Sequence, residues 1–256
     1  MTKTEYKELL DLGVEEEAVE VYLNFSLPML RKPSPRGSRE WPHIEVGGDC
    51  LRIGKTTTKQ VLVEQIGRRG YPLVFSDEDW KANKYLEDSY AEGSDSLLRS
   101  QIWFAKKKRA QLERMADSSF WIQVVNPEMD FGYAMTNYLM GRLTKFQLNE
   151  YWEFYKSLEW EKVPAPDLLV YLTAKNDLLV DRFKKTARSF EKADNLYIRV
   201  MRLVNQRWLE LAKKQMPIMT VETDNFDYSY ETGTQMKRDE LGNVFFEKLV
   251  NEGWDL

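Results

Sequence analysis

Five short apolar runs separated by helical stretches limit what this chain can fold into. They are residues 43–46 (HIEV), 71–75 (YPLVF), 119–125 (SFWIQVV), 167–172 (DLLVYL) and 217–221 (PIMTV). Each is too short for an ordinary helix and is bounded by turn or charged residues, so each reads as a strand. Between them, residues 94–115, 130–158, 177–185 and 194–215 carry helical spacing, and a closing amphipathic helix is predicted over 236–250. Strands alternating with helices predict an α/β domain with a five-stranded, mostly parallel sheet covered by helices on both faces. Ligands bind such a sheet at the carboxyl ends of its strands. The start of the chain stands apart. A helical pattern from Thr4 to about Leu30, broken at Gly13, runs into the Pro/Gly/Ser-rich stretch RKPSPRGSREWP. This predicts a helical extension and linker over 1–40, appended to a main domain over 41–256.

Composition removes several classes of function. With 41 acidic against 37 basic side chains the net charge is -4, whereas a duplex-DNA binder is expected to be strongly basic, so no nucleic-acid partner is expected. No apolar run approaches the roughly 18 to 20 residues of a membrane span. The first twenty residues are acidic and resemble neither a signal nor a transit peptide, which makes a cytoplasmic location the expectation. One Cys and one His, Cys50 and His43, can form neither an internal disulfide nor a Cys/His zinc site. No G-x-S-x-G accompanies His43, so triad chemistry is not expected. The basic run Lys106 to Arg109 reads as a solvated helix face. Tyr133, Tyr138, Tyr151 and Tyr155 read as helix-packing residues.

The sharpest chemical signal is GDCLRIGKT, residues 48–56, directly after the first strand and before a helix. A phosphate-binding loop needs glycines so that backbone amides can wrap an anion. It also needs a Lys to reach the β/γ-phosphates and a Ser/Thr hydroxyl for Mg²⁺. Gly54, Lys55 and Thr56, followed by Thr57, fill the second half of G-x-x-x-x-G-K-[ST]. The first half departs from it. The position of the first glycine is Asp49, and using Gly48 instead lengthens the loop by one residue. An inward Asp49 would repel phosphate, whereas Arg52 could attract it.

From residue 43 to about 228 the chain resembles the deoxynucleoside kinase family. FSDEDWKANKYLEDSY (75–90) is similar to the segment that follows the family's second strand, where a Glu acts as general base on the nucleoside 5′-hydroxyl. QIWFAKKKRAQL (101–112) looks like its base-reading helix, PDLLVYL (166–172) like its fourth strand, and RFKKTARSFE (182–191) like its R-x-x-x-R-x-R-x-x-E lid. The resemblance implies a P-loop kinase-like three-layer fold and transfer of the γ-phosphate of ATP, or another nucleoside triphosphate, with Mg²⁺ to a nucleoside substrate. It implies Glu78, Lys55, Arg182 and Arg188 as catalytic residues. Gly48, Gly54, Lys55, Thr56, Thr57 and Lys184 would bind the nucleotide, and Gln101, Trp80, Asp130 and Glu191 the nucleoside. Thr56 and Glu128 would serve the metal. Trp103, like Trp80, is placed beside the nucleoside, and a homodimer is implied. Phosphoryl transfer asks for positioning, positive charge around the moving group and a carboxylate for the hydroxyl proton, which suits these residue types.

The chain departs from the family pattern in three places. These are Asp49 in the loop, Thr186 where the lid would carry an Arg, and QVVNPEMD (123–130) at the end of strand three, which lacks the family's acidic-Arg-Ser motif. They keep open a noncatalytic relative serving as a nucleotide-binding or scaffold subunit. The GGD of residues 47–49 also keeps open a thymidylate-type nucleoside monophosphate kinase.

Overall fold

The computed structural model describes residues 3–25, 31–33, 35, 38–91, 95–115, 118–191, 194–224 and 226–256. The extension forms α1 (Lys3–Asp11) and α2 (Glu16–Asn24). There follow β1 (His43–Gly48), α3 (Lys55–Arg68), β2 (Leu73–Ser76), α4 (Ser96–Leu112) and β3 (Phe120–Val124). The second half comprises α5 (Pro127–Leu139), α6 (Lys145–Ser157), β4 (Leu168–Thr173), α7 (Asn176–Thr186), α8 (Asn195–Ala212), β5 (Ile218–Glu222) and α9 (Gln235–Asn251). The five expected strands pair into one sheet of order β2-β3-β1-β4-β5, parallel throughout.

The central strands β1 and β3 are buried along their whole length, and β4 along all but its last residue, while the edge strands are partly exposed. That is the burial a helix-covered parallel sheet imposes. Helix α3 packs on β1, β2 and β3 and against α9, whereas α5 packs with α2, α4, α6 and α8. Two close approaches set the second layer. A Cβ on Gly47 would lie 2.7 Å from Met129 Sδ of α5, and one on Gly132 would lie 2.6 Å from Asn205 Oδ1 of α8. Among the described residues no helix is long and apolar enough to cross a membrane.

Two expectations change. The single helix expected over 130–158 is two, because Gly141 takes φ +67 and Thr144 opens α6 with a capping box to Gln147. Nor is the extension an appendage. Leu9, Val14, Ala18, Val19 and Tyr22 are buried in the common core, and Phe25 stacks on Phe131 of α5 at 5.2 Å. Arg31 is fully buried. Its Nε and Nη2 donate to Glu128 Oε1 (2.7 Å) and Oε2 (2.6 Å), and its Nη1 and Nη2 donate to Glu45 Oε1 (2.6 Å) and Oε2 (2.8 Å). Glu45 Oε2 also accepts from Asn126 Nδ2 at 2.6 Å, and Asn126 caps α5 by accepting from the Glu128 N–H. A buried ion triad thus ties the extension to the central strand and to the start of α5.

Candidate active site

The carboxyl end of β1 turns through residues 49–54 into α3, whose unpaired first N–H groups and dipole favour an anion there. Gly54 occupies the N-cap position of α3 at φ +107. Lys55 Nζ folds back to donate to Cys50 O at 2.8 Å, so the ammonium lies beneath the loop it would serve. Burial pushes the Lys55 pKa down, and the nearby Glu78 carboxylate opposes the fall. Thr56 is exposed and Thr57 half-buried on the first turn. Gly48 is required by close approach: a Cβ would meet Leu172 O at 2.8 Å and Ile53 Cγ2 at 2.9 Å.

Asp49 does not point into the loop. Its carboxylate accepts from Tyr171 Oη (2.9 Å) and Thr173 Oγ1 (2.6 Å) of β4, with Arg202 Nε at 3.6 Å. Its carbonyl accepts from Asn205 Nδ2 at 2.9 Å. The negative charge is therefore spent on β4 and α8, and the departure at the first glycine leaves the anion nest open. Restoring the motif glycine with Asp49→Gly is expected to destabilise the fold by about 2 kcal/mol, since it strips a buried tyrosine hydroxyl of its acceptor. Urea unfolding measures this, and an unchanged midpoint would show that the cage carries no weight.

Across the loop stands a cavity lined by Glu78, Trp80, Tyr90, Gln101, Asp130 and Arg188, among others. Glu78 lies just after β2, in a turn anchored by Gln111 Nε2 donating to Asp77 O (2.8 Å) and by a Lys59–Asp77 ion pair. The next segment is pinned to α4 through Asn83 Nδ2 and Ser100 Oγ, 2.9 Å apart. Lys108 on α4 is 2% exposed and bridges the two halves of the cavity. Its Nζ lies 2.6 Å from Asp130 Oδ1 and 3.4 Å from Glu78 Oε1, and these carboxylates raise its pKa. Burial outweighs that ammonium at Asp130 and lifts the carboxyl to about 7. Asp130 Oδ2 is buried with no protein partner among the described residues.

The lid segment after α7 closes the other side. Arg188 lies over Trp80, its Cζ 3.7 Å from the ring centroid, and its Nη1 donates to Glu191 Oε1 at 2.9 Å. Glu191 is 7% exposed and also pairs with Arg52 of the loop and accepts from Tyr90 Oη at 3.3 Å. The Tyr90 pKa is raised by burial and by Glu191.

The structure brings Glu78, Trp80, Gln101, Asp130 and Arg188 to one cavity, with Glu191 bonded to Arg188 outside its lining and Lys55 close enough for Glu78 to act on its charge. It does not bring Glu128 there. Both Glu128 oxygens are paired with Arg31, because its place in the first turn of α5 faces the buried triad and not the cavity. Arg182 is held away from the cavity: its guanidinium donates to Thr223 Oγ1 (2.8 Å), Thr223 O (2.9 Å) and Ile53 O (3.3 Å). Lys184 is exposed on α7. On α4 it is Phe104, not Trp103, that lines the cavity. Tyr133 lines it too, in place of the purely packing role expected.

Sequence reasoning missed Lys108 by taking its whole basic run as solvated. The signal was its spacing: Gln101, Phe104 and Lys108 follow i, i+3, i+7 and share one helix face. Mg²⁺ keeps several waters and needs only a few protein oxygens beside substrate phosphates. Thr56 offers an exposed hydroxyl, and among the described residues no cluster of three or more His, Cys, Asp or Glu could hold a metal.

Comparison with known proteins agrees with this geometry. The chain is 24% identical over 195 residues to a deoxyguanosine kinase of Bacillus subtilis (strain 168), covering 73% of this chain and 89% of that one. Its fold matches a deoxyadenosine kinase from M. mycoides. With the products dCMP and dCDP bound, that structure gives a TM-score of 0.65 at 18% identity, over 82% of this chain and 98% of that one. With dATP bound, the TM-score is 0.64 at 18% identity, over 80% and 99%. The deoxynucleoside kinase family model matches residues 46–243, from the strand that feeds the loop to the last helix, and the chain therefore belongs to the deoxynucleoside kinase family.

Proposed function

We propose that this protein transfers the γ-phosphate of ATP, or a related nucleoside triphosphate, to the 5′-hydroxyl of a deoxynucleoside. The observation that carries the reading is the position of Glu78. It is half-buried at the cavity mouth, within electrostatic reach of Lys55 on the donor side and 3.4 Å from Lys108 on the acceptor side. Glu78 takes the hydroxyl proton as the 5′-oxygen attacks phosphorus. Lys55, the loop amides and the start of α3 hold the leaving diphosphate, and Arg188 with Glu191 covers the sugar. Mg²⁺, held through Thr56, would neutralise charge on the β- and γ-oxygens.

The acceptor side supports a base carrying an exocyclic amine. Gln101 offers both a donor and an acceptor, and Asp130 Oδ2, buried without a protein partner, accepts a hydrogen bond from such an amine when the carboxyl is ionised. The expected result with Mg-ATP is formation of a 5′-monophosphate, faster for deoxyadenosine, deoxycytidine or deoxyguanosine than for thymidine, measured by chromatographic assay of all four. Thymidine as the best substrate would contradict the base assignment, and turnover of none would contradict the reading.

A noncatalytic role has one observation in its favour: strand three ends at Val124 and is followed by Val125, with neither an acid nor an arginine there. The same assay separates the two. The monophosphate-kinase alternative loses its ground, because the Asp49 of GGD is turned into β4.

A further inference from the structure

Arg52 is the one loop residue whose backbone and side chain pull in different directions. It takes φ +60, a left-handed conformation that strains a residue with a Cβ and that glycine adopts freely. Yet the position holds a long cation. Its guanidinium leaves the loop toward the lid, pairs with Glu191 and lies 5.9 Å from the Phe183 ring centroid. Its charge acts on Lys55, the donor-side anchor, and on Tyr90, on the acceptor side. It therefore stands between the two half-sites.

Three other cations near this gap have partners of their own, Arg182 at the loop itself. Arg182 is tied to Thr223 and Ile53, Lys108 is buried against Asp130, and Arg188 lies on Trp80. On the lid helix, Thr186 turns its hydroxyl back to Arg182 O at 2.8 Å and brings no charge. We propose that Arg52 is the arginine that stabilises the phosphoryl group in flight, supplied by the phosphate loop rather than by the lid, with Glu191 holding it ready until substrates arrive. This rests on the kinase reading above. In the step, the 5′-oxygen–phosphorus bond forms and the bond from γ-phosphorus to the β,γ-bridging oxygen breaks, its electron pair leaving with the diphosphate. The hydroxyl proton goes to Glu78, and Arg52 exchanges no proton and only meets charge that develops on the γ-oxygens.

The backbone supplies the test. Arg52→Gly removes the guanidinium while relaxing the left-handed residue. It is expected to keep the melting temperature within a few degrees of wild type and to lower kcat by about 10²- to 10³-fold, with the nucleoside KM changed less than about threefold. Arg52→Lys, which keeps a charge but not the planar fork, should fall between. A second arginine placed one helical turn beyond Arg182, in Arg52→Gly/Thr186→Arg, should recover at least about tenfold of the lost kcat, which a purely structural role would not allow. Arg52→Gly with kcat within about threefold of wild type, or a loss that follows unfolding and is not recovered in the double variant, would overturn the proposal. A wild-type enzyme without turnover would instead overturn the kinase reading, so the two failures are distinct.

Discussion

Lys55→Ala is expected to lower kcat for deoxynucleoside phosphorylation by roughly 10³-fold, the loss typical when a cation aimed at a transferring phosphoryl group is removed. The ammonium is already placed, 9% exposed and donating to Cys50 O beneath the loop, so binding a phosphate chain requires a swing of one side chain rather than a refolding. Its removal leaves only a backbone carbonyl to rehydrate, and the variant should stay folded. Glu78→Gln keeps the shape and the Lys108 contact but cannot take a proton, so it should cost about 10²- to 10⁴-fold in kcat with nucleoside binding retained. Steady-state kinetics beside calorimetric titration of Mg-ATP separates the two. Lys55→Ala weakens the donor half, and Glu78→Gln leaves both halves binding. Either variant within tenfold of wild-type kcat would contradict the assigned roles.

Arg31→Met is expected to destabilise the fold by about 3–5 kcal/mol, the cost of leaving buried carboxylates without their cation. Two of them depend on Arg31, and the effect has a signature in pH. Arg31 holds the Glu45 carboxyl down at about 2, below its ordinary 4.5. Since the folded value is the lower one, this stability is fully present above about pH 4.5 and is lost as pH falls from there toward 2. In Arg31→Met the sign reverses. Glu45, buried without its cation, takes up a proton more readily folded than unfolded, so acidification from pH 7 to 5 restores part of the deficit. Urea unfolding at the two pH values measures it. A deficit under about 1 kcal/mol, or one independent of pH, would show that the triad does not anchor α5.

The fold was legible because it rests on local periodicity. All five apolar runs are strands, and the order of strand, loop and helix around Gly54–Lys55–Thr56 needs no long-range information. The break at Gly141 was also readable, from a glycine followed by Thr144-x-x-Gln147, and was overridden by the apolar spacing on either side. What sequence could not supply was direction. Asp49 is harmless because Tyr171 and Thr173, more than 120 residues away, turn its carboxylate aside. Glu128, expected to serve the metal, is claimed by Arg31 from 97 residues away. Lys108 was hidden in a basic run whose other members do face outward or sideways. In these three places a charged side chain chose between two faces, and that choice belongs to tertiary pairing.

The reading turns on whether phosphate moves from a triphosphate to a nucleoside in this site. Phosphorus NMR of the purified protein with Mg-ATP and deoxyadenosine, deoxycytidine or deoxyguanosine follows it directly, with Lys55→Ala run in parallel. The expected result is a growing 5′-monophosphate resonance matched by ADP in the wild-type sample and none above background in the variant. Equal signals from both proteins, or no monophosphate with any of the three nucleosides, would contradict it.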